Sequence, residues 1–339
     1  MRRTFIAAWV FLLLLTPSLI HAQPAAPPAC QGRDLLGALK SNDPKAFADI
    51  RDAADAIPNG RALLWRIERQ GRPASFLFGT IHSTDERVHK FSPAVKSAFN
   101  AANRVALELS ELASDNPGEA MAKAKNINKL AVYTSGAGLA GHLSKAELEA
   151  LGRALGTVGV PPNAVPAFRP WFAWAALAMP TCENRRGAAG LAFLDQRIGR
   201  DALKAGKRVI GLETIDDQIG ALSGLPEATQ VFLLRTTLAI MDSSVDQWEV
   251  LHRQYLARDL GVILPFTLHL IQRAGFDSSL FGRFERDLID RRNITMRDAA
   301  LPLLREGNAF IAVGALHLPG KAGLVDLFRA AGYTVTAVE

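Results

Sequence analysis

The sequence is poor in cysteine and tyrosine, with two of the first and three of the second in 339 residues. Two cysteines are too few for a small disulfide scaffold, so the core must come from apolar burial. Dense Lys/Arg runs are missing too. Arg291-Arg292 and Lys204 to Arg208 have ordinary surface spacing, which argues against a nucleic-acid partner despite a formal net charge of +6. The longest apolar run, Phe5 to Leu15, falls short of the ~20 residues that a helix needs to cross ~30 Å of hydrocarbon. Two catalytic signatures are also absent. Lack of HExxH argues against a helix-borne zinc protease, and lack of GxSxG against a nucleophile-elbow serine hydrolase.

What is present is ample core material, 49% hydrophobic, which excludes disordered, collagenous and coiled-coil chains. Arg2 and Arg3, the Phe5–Leu15 run, the breaker Thr16-Pro17 and the small Ala22 have the layout of a secretory signal over 1–22. Pro27 stands three residues before Cys30, where a lipoprotein signal wants an aliphatic residue, so no lipid attachment is expected. The mature chain is then expected to begin near Gln23, with no membrane span, as a soluble protein of the periplasm or the secreted space. In that oxidising setting Cys30 and Cys182 are expected to form one bridge.

Residues 23–33 are Pro/Ala-rich and read as a tether, ahead of a single domain over 34–339. Trp65 to Glu68 and Ser75 to Ile81 read as a hairpin turned at Gln70-Gly71-Arg72-Pro73. A helix is expected over Pro93 to Ala102 and a strand over Arg104 to Leu109. The stretch 115–285 reads as mostly helical, with amphipathic runs near 144–155, 170–179, 190–205 and 226–240 and one strand, Arg208 to Leu212. The end returns to strand Ala309 to Val313, helix Lys321 to Ala331 and strand Tyr333 to Val338. Strand signals at both ends imply a mixed α/β fold. Its central sheet is built from the N- and C-terminal segments, with a large helical middle region packed on it.

Chemistry concentrates at expected strand ends. Gly79-Thr80-Ile81-His82 and Gly314-Ala315-Leu316-His317 each place a histidine three residues after a glycine at the carboxyl end of an apolar strand. Ligand and catalytic groups of open α/β sheets gather there, and Gly79 and Gly314 permit close backbone approach. Glu108 closes Val105-Ala106-Leu107-Glu108 and Glu213 closes Ile210-Gly211-Leu212-Glu213. A carboxylate among aliphatics is costly to bury unless paired or bound to metal. Two imidazoles and two carboxylates can bind a divalent cation or serve as an acid/base set.

These blocks resemble the TraB/GumN family, related to the TIKI proteases. The matching elements are Leu77 to His82, Ala106 to Leu109, Asp195 with Ala202 and Gly206-Lys207, and Gly211 to Thr214 with Gln218. Arg292-Asn293, Val313 to Leu324 and Gly332 to Val335 complete the series. The resemblance spans roughly 60–339. It implies a mixed α/β fold with two GxxH motifs across one cleft, and a metal-dependent hydrolase or peptidase with His82, His317 and Glu108 as site residues. Phe193 departs from the pattern, since a glycine is expected two residues before Asp195. On this footing the expected activity is cleavage of a peptide or ester-like bond, with His82, Glu108 and His317 holding Mn²⁺, Co²⁺ or Zn²⁺. Glu213 would act as a second carboxylate, and Arg292 as an oxyanion stabiliser or a structural ion pair. The partner is a peptide or small-molecule substrate. The alternatives are a non-catalytic peptide-binding or signal-inhibiting protein using the same cleft, and a metal-free hydrolase with His82 as base.

Other motifs read as structural. Gly136 to Gly141 fits GxGxxG, but the next helix begins only at Ser144, with Glu147 completing a capping box. His89, His142, His252 and His269 lack the glycine-and-strand context and are expected on helices, exposed or partly buried. Trp171, Phe172 and Trp174 are expected to pack the core.

Overall fold

Gly71, with φ +72°, lets the chain reverse between β1 (Leu64–Glu68) and β2 (Ser75–Thr80), which pair antiparallel with Leu64 opposite Phe78. The computed structural model describes residues 27, 29–113, 127–157 and 159–339. The expected signal segment 1–22 and most of the tether before Ala29 lie outside them. β3 (Arg104–Leu107), β4 (Arg208–Gly211), β5 (Ala309–Gly314) and β6 (Thr334–Ala337) complete one sheet in the order β4-β3-β5-β2-β1-β6. β4, β3, β5 and β2 run parallel, while β1 is antiparallel to both its neighbours.

The strand sequences explain this order. Ala309 to Val313 is apolar at every position and buried throughout, as a central strand covered on both faces must be. Thr334, Thr336 and Ala337 of β6 are exposed and only Val335 is buried, which suits an edge. Between them Phe310 packs against Phe78 and Phe99, with ring centroids 5.8 and 5.6 Å apart.

Helices cover both faces. Ser92 caps helix Pro93–Ala101 by accepting from Val95 N–H, and Pro93 pre-sets its first turn. Helix Leu194–Lys204 buries Leu194, Ile198 and Ala202. A Cβ on its Gly199 would lie 2.7 Å from Ala113 Cβ, so only glycine lets it approach. Phe193 N–H, at the departure noted above, donates to Gln196 Oε1 at 3.0 Å, and the ring lies over Gly187. Helix Arg291–Glu306 follows a π-helical turn, Arg286–Asp290. Helix Leu324–Ala330 starts three residues later than expected because Gly323 is its N-cap.

In the middle region the described residues are helical apart from β4 and short turns, with separate clusters such as Leu139, Leu151, Leu155, Val165 and Leu234. Ser144 and Glu147 form the expected capping box, and Trp171 is buried with its indole donating to Leu130 O at 2.9 Å. Two further helices, Leu35–Asn42 and Pro44–Asp55, fall outside the elements expected from the sequence. Asp34 and Asp43 cap them, and Ile50 and Ala54 pack with Val250, Val262 and Phe266. Cys30 and Cys182 are bonded, 152 residues apart in sequence. The described end of the tether is docked: Arg33 pairs with Asp246 at 2.7 Å, and Pro27 O accepts from Arg186 at 2.6 Å. Among the described residues no helix is long and apolar enough to cross a membrane.

Candidate functional site

Because β2, β3, β4 and β5 are parallel, their carboxyl ends share one edge, and the residues that follow them meet there. Thr80 pairs with Gly314 across β2 and β5, which sets the two GxxH motifs side by side, one residue out of step. The close approach is glycine-dependent. A Cβ on Gly79 would come within 3.1 Å of Ala315 Cα, and one on Gly314 within 3.0 Å of Glu108 Oε1.

His317 is buried and points its Nδ1 at Asn293 Oδ1, 2.7 Å away. Asn293 Nδ2 donates to Ala322 O, which orients the amide with its oxygen toward the ring. Nδ1 therefore carries the proton and Nε2 is left as the acceptor. Nε2 lies 3.7 Å from Glu108 Oε1, beyond hydrogen-bond reach. Burial pushes His317 down to about 4, against the pull of Glu108, so the ring is neutral at pH 7.

Glu108 is 5% exposed, with both oxygens of its carboxylate engaged. Oε1 accepts from Gly314 N–H at 2.7 Å, and Oε2 from Arg292 at 2.8 Å and Gln218 at 3.1 Å. Burial opposes ionisation, but the charges of His317, Arg292 and His82 with the Gly314 N–H outweigh it and hold Glu108 down to about 2. Glu213 is placed beside it by the backbone, its N–H donating to Glu108 O at 2.9 Å. Arg292 forks onto Glu213 through Nε and Nη2, at 2.6 to 3.1 Å, while Nη2 also reaches Glu108. Arg292 is thus a structural cation between two buried carboxylates, its Nε and Nη2 committed to them rather than to an oxyanion.

His82 is different. Its side chain is 52% exposed, and Nδ1 meets Asp195 Oδ2 at 2.7 Å. Asp195, buried in the first turn of helix Leu194–Lys204, also accepts from Thr80 hydroxyl. The Asp195 charge, helped by Glu108, raises His82 to about 9, although the open half of the ring screens the effect. Asp195 appeared in the sequence only as a family element. Asp195, Asn293 and Gln218 were not picked as site residues, because a lone polar residue in an amphipathic helix has no sequence-level mark of its partner.

The loop after His82 is gripped from below. Thr84 N–H and hydroxyl both donate to Glu183 Oε2 at 3.0 Å, and Arg186 Nε donates to Thr84 Oγ1 at 2.7 Å. His252, expected exposed or partly buried, is instead fully buried, with Nε2 2.8 Å from Ser83 Oγ, because helix Ser244–Leu256 packs beneath this loop. Tyr255 of the same helix donates to Gly79 O at 2.8 Å. His89 and His142 lie in turns rather than helices, while His269 is helical and half-buried.

The donors suit a divalent cation in part. Two ligands on one ion at ~2.1 Å each stand roughly 3–3.5 Å apart, close to the 3.7 Å between His317 Nε2 and Glu108 Oε1. Both imidazoles have Nδ1 anchored and Nε2 free, the usual orientation of metal-ligating rings. His82, the third expected ligand, is held by Asp195. Among the described residues no group of three His, Cys, Asp or Glu is arranged to hold an ion.

The protein thus has a mixed α/β fold whose parallel sheet edge gathers two imidazoles and a paired carboxylate. The chain belongs to the TraB/PrgY/gumN family, whose profile matches residues 63–337. It is 24% identical over 282 residues to an uncharacterised protein of Treponema pallidum, covering 80% of this chain and 82% of that one. It is also 25% identical to a metalloprotease TIKI homolog of Nematostella vectensis, covering 86% and 70%, respectively. Metalloprotease TIKI1 of Xenopus tropicalis is 26% identical, covering 84% of this chain, which spans 64% of that protein. No solved structure gives a significant match.

Proposed function

We propose that this chain is an exported hydrolase that cleaves a peptide or ester-like bond in the cleft at the carboxyl ends of β2, β3 and β5, assisted by a divalent ion. The observation that carries this reading is the pairing of a neutral, buried imidazole with an ionised carboxylate, His317 and Glu108, 3.7 Å apart. These two would hold the ion, with His82 as the third donor once its Nε2 proton is released; the set suits Mn²⁺, Co²⁺ or Zn²⁺ without choosing among them. Such an ion, when bound, polarises a scissile carbonyl and lowers the pKa of a water. The chain's own groups prepare the site. Asn293 fixes the His317 tautomer, and Arg292 with Gly314 N–H keeps Glu108 ionised. Glu213 holds Arg292 in place, and Asp195 turns His82 so that Nε2 faces away from its anchor. Two relatives named as metalloproteases support the metal, and the Cys30–Cys182 bridge supports an oxidising, extracytoplasmic setting.

A second reading rests on the opposite environments of the two histidines. A charged His82 beside Asp195 and a neutral His317 make an acid and a base without an ion. The base is then His317, not His82 as expected from the sequence. His317 Nε2 takes a proton from the attacking water, and His82 Nε2–H gives one to the leaving group.

Cleavage of a peptide library by wild type, His82→Ala and His317→Ala, with and without chelator, tests both readings. Loss in chelator with recovery on adding Mn²⁺, Co²⁺ or Zn²⁺ supports the metal-assisted reading. Full activity in chelator with loss in both variants supports the second. Peptide capture without cleavage makes the protein a non-catalytic binder, and cleavage unchanged in both variants places the site elsewhere.

A further inference from the structure

A groove of about 690 Å³ opens on the flank of the His82 loop. Its walls come from the residues that follow His82 and from the start of helix Leu194–Lys204, so it shares its scaffold with the His82–Asp195 pair. Thr84 lines it two residues after His82, and Arg197 lines it two residues after Asp195. The connection is hydrogen-bonded. Ser83 O accepts from Leu194 N–H at 3.1 Å and lies 2.9 Å from His89 Nε2, while Arg197 donates to His89 O at 3.0 Å.

The charge on these walls is one-sided: Lys90, Lys96 and Arg197 face a single carboxylate, Glu86. Arg197 is already engaged, 3.5 Å from Asp201. Lys90 and Lys96 are not buried, and among the described residues neither ammonium has an ion-pair or hydrogen-bond partner. Phe91 and Leu191 add apolar wall beside them. Two unpaired cations next to an apolar surface complement a carboxylate followed or preceded by an apolar group.

The geometry points to this groove as the subsite for an acidic peptide segment, which binds Lys90 and Lys96 through an Asp or Glu side chain and presents the neighbouring bond to His82. This rests on the hydrolase reading and adds its substrate class. Each contact is solvent-accessible and modest, so the two together are worth about tenfold in affinity at low salt, fading as salt screens them.

The test uses two peptides that differ only in Glu and Asp replaced by Gln and Asn. Wild type is expected to favour the acidic peptide about tenfold in kcat/KM at low salt, through KM. Lys90→Glu/Lys96→Glu should abolish that preference, while Lys40→Glu/Lys145→Glu, with the same change in net charge elsewhere on the surface, should keep it. Equal ratios in the two double variants, or no preference in wild type, overturn the subsite. If wild type cleaves neither peptide, the hydrolase reading loses its support from these substrates, and anisotropy of the same peptides, labelled, decides the groove on its own. Tighter binding of the acidic peptide that is lost only in Lys90→Glu/Lys96→Glu supports it, and equal binding overturns it.

Discussion

Asp195 and His82 are joined at 2.7 Å, one buried carboxylate from the middle of the chain orienting the imidazole that follows the second strand. The same carboxylate accepts from Thr80, two residues earlier, so the His82 loop is fixed at two points by one side chain. The opposite histidine has no carboxylate on its Nδ1, only the Asn293 amide. That difference in partner separates the protonation of two rings at one sheet edge.

Asp195→Asn should bring His82 from about 9 down towards its ordinary value near 6.5, measured by imidazole NMR titration in chelator-treated protein. A raised folded-state pKa contributes stability that is fully present below about 6.5 and lost as pH rises through about 9. The deficit in Tm of the variant should therefore be largest below pH 6.5 and narrow above pH 9. A His82 titration unchanged in the variant would show that Asp195 does not set it.

Removing Arg292 leaves Glu108 and Glu213 buried without their shared cation. Arg292→Ala is expected to cost about 3–5 kcal/mol in urea unfolding near pH 7. Arg292→Lys should recover part of this, since it keeps the charge and loses the fork. Glu108, held down to about 2, contributes stability present above about 4.5 and lost as pH falls through about 2. The deficit should shrink in acid; a pH-independent one would mean that packing, not charge, is what the substitution removes.

Asn293→Ala frees the Nδ1 of His317 and with it the choice of tautomer. Cleavage is expected to fall about 10–100-fold with KM little changed, as for other groups that orient a site imidazole. An equal fall in a folded protein whose KM rises in proportion would place Asn293 in substrate binding instead.

The Cys30–Cys182 bridge closes a loop of 152 residues, worth up to about 5 kcal/mol by loop-closure entropy. Cys182→Ser should lower Tm and expose the segment around Cys30 to limited proteolysis. Glu183, the next residue, holds Thr84, so activity should fall as well. Unchanged activity after reduction would show that helix Thr181–Ala188 keeps its grip without the staple.

The sheet was legible because its strands are short apolar runs punctuated by Gly, Pro and Asn, and because His82, Glu108, Glu213 and His317 each follow one of them. Parallel pairing puts all four at one edge of the sheet. The partners were not legible. Asp195, Asn293 and Gln218 sit on helices whose apolar periodicity says which face is buried but not what a polar residue on that face will meet. His252 misled for the same reason: its neighbours in sequence gave no hint that Ser83, 169 residues away, would hydrogen-bond it in the core. The helices over 35–55 were missed because their signal is in the caps Asp34 and Asp43-Pro44 rather than in a long apolar stripe.

The place of β5 bears on the order of events during synthesis. It is the strand that lies between β2 and β3, yet it comes from much later in the sequence than either. Until it exists, β2 and β3 share no neighbour, and the loops carrying His82 and Glu108 have nothing to align them. A chain that has not yet added β5 therefore holds His82 and Glu108 without the strand that aligns them. Docking of β5, not the presence of any one residue, brings His82 and Glu108 to a common edge, so a fragment that stops before Ala309 should lack the assembled site.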